Sequence, residues 1–412
     1  MTQQSLQPPV RRNPSARVVF LWGAAALLCG ARLVQLVSIV LGEENGPAHC
    51  KPEQRGDVVL TVDARNYSEW KYIPLRDFLQ GPNLERRVAA DHRATNKSSS
   101  SANEPAVCEW PATRDQFASA MEHLYRCWSY WQHFPDARWV LYRPPARHHL
   151  TPHGGRQHQP NNAHMRFVEG LIDILEDHVH VTSDPGVLAN AVRRRPGSGA
   201  FQMASPHDAR SLVSLVRTAL GIPSMTDGRN STQREPRIAL LNRRVSQKRA
   251  ILNADRLVRR IGKELQLPQS HHDATNSTRV EMTYFEDKSF REQLEFFLQH
   301  DIIISPHGAQ LSGLAFLPEC SAVLEVFPAH YQNHRYFGSL VASAGLAHYS
   351  FGVGDRAVPT LSVSERETRI VRQVQLCPSR VAIVEGVRRM AEDWKECRRR
   401  VQLRSSEVSY AA

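Results

Sequence analysis

The stretch DIIISPHGAQLSGLAFLPECSAVLEVFP, Asp301 to Pro328, restricts what the chain can fold into more than any other. Ile302, Ile303 and Ile304 are β-branched and apolar, which suits a buried strand. Pro306 and Gly308 break the run, and apolar residues recur at helical spacing from Ala309 to Leu317. Pro318 stops that helix, and Ala322 to Phe327 reads as a second strand. Strand, glycine-bearing turn, helix and strand make a β-α-β crossover. Its turn falls where open parallel sheets bind ligands, at a strand's carboxyl end and a helix's start.

The surrounding sequence keeps the same rhythm. Strand Arg237 to Asn242, helix Ala254 to Leu265, strand Arg279 to Phe285 and helix Phe290 to Gln299 lead into the crossover, and helix Tyr331 to Ala344 and strand His348 to Phe351 follow it. Such alternation predicts a parallel sheet covered by helices on both faces. Upstream, strand Asp57 to Ala64, helix Gln116 to Phe134, strand Trp139 to Tyr142, helix His164 to Glu176, strand His178 to Thr182 and a helix after Ser205 are also α/β. The aromatic residues of the Gln116 helix read as core. A breaker-rich link, Ser224 to Pro236, separates the halves. The expected domains are therefore 57–223 and 237–377, followed by a basic C-terminal helix and tail, 378–412, with packing back on the first domain as one option.

The first 42 residues contain no Asp or Glu, and Val18 to Leu41 is an apolar run of about the length that crosses a bilayer. Arg11, Arg12 and Arg17 precede it, and Glu43 and Glu44 follow, so residues 1–17 are expected in the cytosol, 18–41 as a signal anchor, and a stem at 42–56 leading into a lumen. A cleaved signal peptide ending near Cys29-Gly30-Ala31 is the competing reading, and a mitochondrial presequence is disfavoured because the run is not amphipathic. Sequons at Asn66, Asn96, Asn230 and Asn276 fit a secretory compartment. So do six cysteines beyond the apolar run, an even number compatible with disulfides whose pairing the sequence leaves open. The net charge of +11 is spread along the chain with no nucleic-acid motif.

The chemistry lies at strand ends. Arg243 and Arg244 directly follow strand IALLN, and arginine's planar fork suits a diphosphate without any metal. At the other turn, Ser305, His307, Gly308 and Ala309 bring a close backbone approach, a histidine donor and the amides of a helix start. Glu325, late in the next strand, is expected to accept hydrogen bonds from a ribose. The plainer alternatives are a solvated basic loop, a structural histidine and a packed carboxylate. No Gly-x-x-x-x-Gly-Lys-Ser/Thr loop, no Gly-x-Gly-x-x-Gly after a strand and no Gly-x-Ser-x-Gly occurs. Asp-x-Asp, the usual metal-bridging pair of nucleotide-sugar enzymes, is also missing. What remains points to a metal-independent nucleotide-sugar transferase.

These residues carry a resemblance. RIALLNRRVSQKRAILNADRLV, Arg237 to Val258, and FEDKSFREQLEFFLQHDIIISPHGAQLSGLAFLPECSAVLEVFP, Phe285 to Pro328, resemble glycosyltransferase family 61. The resemblance implies two facing Rossmann-like domains (GT-B), inverting transfer from a UDP-sugar to a glycan or glycoprotein acceptor, no metal cofactor, and a single-pass type II membrane protein of the Golgi or endoplasmic reticulum. The sugars it implies are xylose, N-acetylglucosamine or arabinose. Carried onto this chain, it gives Arg243, Arg244, His307, Gly308 and Ala309 the donor diphosphate. Gln310 stands where the family usually has Gly, and Asn242 where Ser is frequent, so Gln310 is expected beside the phosphate. Inversion also requires a base from the first domain. His153, Asp173 and Asp208 are the candidates, with His158 and His207 beside them. A non-catalytic lumenal glycan-binding or scaffold protein of the same fold is the rival reading.

Overall fold

The computed structural model describes residues 50, 53, 55–65, 106–109, 117–133, 139–142, 163–184, 192–194, 203, 205–223, 234–265, 280–328, 331–352 and 374–411. The expected anchor at 18–41, the four sequons, His153 and His158 lie outside them. Among the described residues, no helix is long and apolar enough to cross a membrane.

The first half forms a small parallel sheet from β2 (Ala106–Glu109), β3 (Trp139–Tyr142), β4 (His180–Thr182) and β5 (Val192–Arg194), in the order β4-β3-β2-β5. Helices α1 (Phe117–His133), α2 (Ala163–Leu175) and α3 (Pro206–Ala219) belong to this half. Ser205 caps α3 by accepting from the Asp208 amide, and Pro206 sits in the first turn, where it costs no hydrogen bond.

The larger sheet has the order β1-β10-β9-β8-β6-β7. Its parallel strands are β6 (Ile238–Asn242), β7 (Glu281–Tyr284), β8 (Ile302–Pro306), β9 (Ala322–Phe327) and β10 (Ala347–Gly352). The strand Val58–Asp63, β1, precedes the whole first half, yet it pairs antiparallel with β10 at the edge of this sheet. Helices α4 (Ala254–Glu264), α5 (Phe290–Gln299), α6 (His334–Ser343) and α7 (Arg380–Ala411) complete this half. Ser289 and Glu292 form a reciprocal capping box at the start of α5. The basic helix α7 packs against α4 and across β1, β8 and β9 of this sheet. Disulfides Cys50–Cys377 and Cys320–Cys397 tie it down just before its start and at its middle, and Cys127 is disulfide-bonded as well.

Strand periodicity explains the continuous apolar runs. Ile238, Leu240, Ile302, Ile304 and Leu324 face one core with Leu257 and Ile261 of α4 and Ile383 and Val387 of α7. Ala239, Leu241, Ile303 and Val323 face the other. A sheet buried on both faces has no polar alternation to show. The second core also takes in Met121, Leu124, Phe167, Leu171 and Leu212 from the first half, so helices of both halves share it. Phe167 meets Phe290 edge-on at 5.2 Å and Phe316 at 5.9 Å, and the Tyr125 hydroxyl donates to the Ser312 carbonyl at 2.5 Å.

Chain order within the larger sheet fixes where a ligand belongs. From β6 the chain moves outward to β7, then returns to the other side of β6 for β8, β9 and β10. The connections therefore leave in opposite directions from β6 and β8, which opens a crevice between their carboxyl ends. Arg243 follows β6, and His307 and Gly308 follow β8.

Candidate functional site at the sheet switch point

The loop after β6 is pinned at its base by Asn242. That buried amide donates to the Ile251 carbonyl at 3.0 Å and accepts from the Ile251 amide at 2.9 Å, so it closes residues 243–250 into a loop without a strand partner. Arg249 within the loop takes the left-handed conformation, φ 66°. The result turns Arg243 inward. A methyl group built on Gly308 would lie 1.8 Å from Arg243 Nη2 and 2.8 Å from its Cζ. Gly308 is extended, φ 164° and ψ 170°, so glycine is needed there for the space its missing side chain leaves to the guanidinium.

Arg243 has no ion-pair partner among the described residues, and Glu286 acts on it only as a weaker, opposing charge. Its Nη1 makes a long hydrogen bond to the Lys248 carbonyl at 3.4 Å, and its buried Nε has no partner among the described residues. Burial first, and then the like charge of Arg249, pull its pKa from the usual arginine range to about 9, with Glu286 opposing. It stays cationic at neutral pH and is primed for an anion. Arg244 differs. It is exposed, its side chain pairs with Asp287, and its amide donates to Glu286 Oε1 at 3.1 Å. The structure therefore separates the two arginines, with Arg243 against the turn and Arg244 at the surface.

On the facing turn, His307 continues the ladder by donating its amide to Val326 at 2.9 Å, which fixes the ring between Phe327, Tyr331 and Phe337. The segment Ala309–Phe316 is a 3₁₀ helix where the spacing predicts an ordinary α-helix; Ser312 and Gly313 are weak helix formers, and Gly313 lies so close to Phe297 that an added Cβ would come within 2.2 Å of that ring. Its first bond runs from the Leu311 amide to the Gly308 carbonyl at 2.9 Å, so the Ala309 and Gln310 amides have no acceptor within the helix.

Two expectations need correction. Gln310 does not project beside the anion position. Its buried amide donates to the Leu241 carbonyl at 3.2 Å and to Ser305 Oγ at 2.8 Å, tying the ends of β6 and β8 together, and Ser305 is thereby occupied beneath the turn. Glu325 is fully buried and cannot reach a ribose. Its Oε1 lies 2.5 Å from His307 Nδ1 and its Oε2 lies 2.9 Å from His348 Nε2. His348 Nδ1 in turn lies 2.5 Å from Thr61 Oγ1 of β1. Thr61 opens on a cavity of ≈ 800 Å³ beside β10, lined also by Arg55, Asp57, Gln332, His334 and Glu385. Polar side chains on three strands thus link the cavity to His307 at the switch point.

The structure does not gather the candidate bases there. Asp173 is on the exposed face of α2, and His207 is exposed in the first turn of α3. Asp208 is 1% exposed, and its carboxylate accepts from Ser205 Oγ at 2.9 Å and lies 3.2 Å from His133 Nε2. It works as a cap. Sequence reading passed over Glu122 and Arg126, which are buried on α1 among its aromatic residues. Burial first, then the negative charges of Glu122 and neighbouring Tyr331, push up the Tyr336 hydroxyl, and the Tyr331 hydroxyl is 3.4 Å from His307 Nε2. The signal was present in the sequence as an acid and a base one turn apart on the helix's aromatic-rich stretch.

Comparison with known families gives a match over the site. The model of the family described as Glycosyltransferase 61 fits residues 121–324, from α1 through the switch point into β9. Comparison with curated proteins finds no match.

Proposed function

The chain belongs to glycosyltransferase family 61 and is a glycosyltransferase, and on that premise we propose that it transfers a sugar from a UDP-sugar to a glycan or glycoprotein with inversion and without a metal cofactor. The observation that carries this reading is Arg243, a half-buried guanidinium with no ion-pair partner among the described residues, seated on Gly308 at the point where the sheet opens. A departing diphosphate needs positive charge and donors aimed at the oxygens where charge develops. Arg243, the Ala309 and Gln310 amides and His307 supply them, and Arg249 adds to the field. Arg244 serves the outer phosphate or the sugar by exchanging Asp287 for the ligand.

The acceptor hydroxyl must lose a proton as the glycosidic bond forms. We assign that role to Glu122, a buried carboxylate of α1 whose charge acts on Tyr336, which is in turn coupled to Tyr331 beside His307. The two sheets, each wound around a switch of chain direction, are read as the two facing domains of a GT-B enzyme. The disulfides and the apolar segment Val18 to Leu41 support a type II protein of the Golgi or endoplasmic reticulum with its catalytic part in the lumen.

The test is calorimetric titration of UDP into the full-length chain, followed by transfer assays with UDP-xylose, UDP-N-acetylglucosamine and UDP-arabinose, with and without EDTA. UDP binding and chelator-resistant turnover are expected. UDP binding without turnover on any acceptor would favour the non-catalytic reading.

A further inference from the structure

Glu325 is costly where it stands. β9 is otherwise AVL-VF, and placing a carboxylate at 0% exposure in the middle of such a sheet costs several kcal/mol unless both oxygens are satisfied. Here each oxygen meets an imidazole, and those two imidazoles differ. His348 is wholly enclosed, and burial takes it down to about 3, so it is neutral and donates Nε2–H to Glu325. His307 lies at the switch point, and among the described residues its Nε2 has one long contact, to the Tyr331 hydroxyl. A hydroxyl suits either state of that nitrogen, since it can donate or accept.

The charged and titratable groups around His307 are Glu325 from β9, His348 behind it from β10, Tyr331 ahead of α6, and Arg243 and Arg249 from the loop after β6. His334 lies across Phe327 from it. Burial and the two arginine charges hold the ring below its ordinary value, outweighing the pull of Glu325. In the free protein His307 is therefore uncharged, with Nδ1–H donated to Glu325 and the Nε2 lone pair open.

A diphosphate seated on Arg243 changes the field. It cancels the arginine charges that oppose an imidazolium and adds negative charge of its own. We propose that Glu325, backed by His348, is a positioning residue that makes His307 a proton acceptor coupled to donor binding. When the diphosphate arrives, Nε2 takes one proton from solvent and turns it on the anion as an N–H···O hydrogen bond, while Nδ1–H stays on Glu325. This rests on the reading of the switch point as the diphosphate site. Because the bound state holds the proton more tightly than the free state, UDP affinity rises as pH falls through the interval between the two pKa values and is level on either side. Opposite charge within a few ångströms moves a pKa by roughly 1–3 units, so the change in affinity is about 10- to 1000-fold.

The experiment is isothermal titration calorimetry of UDP into the full-length protein at pH 7.5, in two buffers of different ionisation enthalpy, which counts protons taken up. His307→Gln is the reference, because the terminal phosphate of UDP titrates equally in both proteins. The wild type should take up more protons than His307→Gln, by up to one per UDP bound. Glu325→Gln should behave as His307→Gln, because an amide still bonds both rings but offers no counter-charge to an imidazolium. Should Glu325→Gln fail to fold by circular dichroism, the comparison of wild type with His307→Gln decides. Equal proton counts with UDP bound in both would overturn the proposal and leave the donor site intact. Failure of the wild type to bind UDP would overturn the donor reading, and this proposal with it.

Discussion

The guanidinium of Arg243 occupies the space that any side chain on Gly308 would need, Nη2 lying 1.8 Å from the position of that absent Cβ. Two segments more than 60 residues apart in sequence, the loop after β6 and the turn after β8, thus interlock at the switch point. Gly308→Ala should displace Arg243 and weaken UDP binding about 10- to 100-fold, the loss of one or two hydrogen bonds to a charged group. Circular dichroism should be unchanged, because Gly308 is extended and its backbone tolerates alanine.

Arg243 should show opposite effects on stability and binding. A half-buried charge with no ion-pair partner among the described residues is a burden to the folded state. Arg243→Met should raise Tm by a few degrees while lowering UDP affinity at least as much as Gly308→Ala. A fall in Tm would mean that the guanidinium is a structural strut.

Arg244 should matter less. Its pair with Asp287 is exposed, 54% and 75% for the two side chains, so Arg244→Ala should change stability by less than about 1 kcal/mol. Its effect on UDP affinity should be smaller than that of Arg243→Ala, and an equal or larger effect would move the ligand outward, away from Gly308.

Glu122→Gln should lower kcat by about 10²- to 10⁴-fold and leave UDP affinity within twofold, as expected for loss of a base that acts on the acceptor. A parallel loss of UDP binding would assign Glu122 to the packing around Tyr336 instead. Asp208→Asn, in contrast, should act on the stability of α3 through its cap.

Cys320–Cys397 closes a loop of 77 residues between the turn before β9 and the middle of α7. Removing it with a double Cys→Ser change should cost roughly 2–4 kcal/mol. In the full-length protein made in a secretory host, endoglycosidase should shift the mass through Asn66, Asn96, Asn230 or Asn276, and Edman sequencing should find the N-terminus uncleaved. A terminus near Arg32 would show a cleaved signal peptide.

The larger sheet was legible because both its faces are buried. Ile302–Ile304 and the AVLEVF strand are apolar throughout, and the observed strands Ile302–Pro306 and Ala322–Phe327 contain or match those spans. β2 and β5 were not read, since AVCE and VRR are too short and mixed to show a period. The place of β1 at the edge of the second sheet was hidden too, because pairing across nearly 290 residues leaves no local trace. At the site, sequence position identified the strand ends but not the direction of side chains. Gln310, one residue after the turn, points beneath it; Glu325 points into the sheet; and of two adjacent arginines only Arg243 turns inward.

The central claim is that the diphosphate of a UDP-sugar sits on Arg243 at Gly308. Its most direct test is the UDP dissociation constant of Gly308→Val against the wild type, by calorimetry, with circular dichroism confirming the fold. The account predicts tight enough binding to measure in the wild type and at least tenfold weaker binding in the folded variant. Equal affinity in the two proteins would place the donor elsewhere and leave the Arg243–Gly308 contact a matter of packing alone.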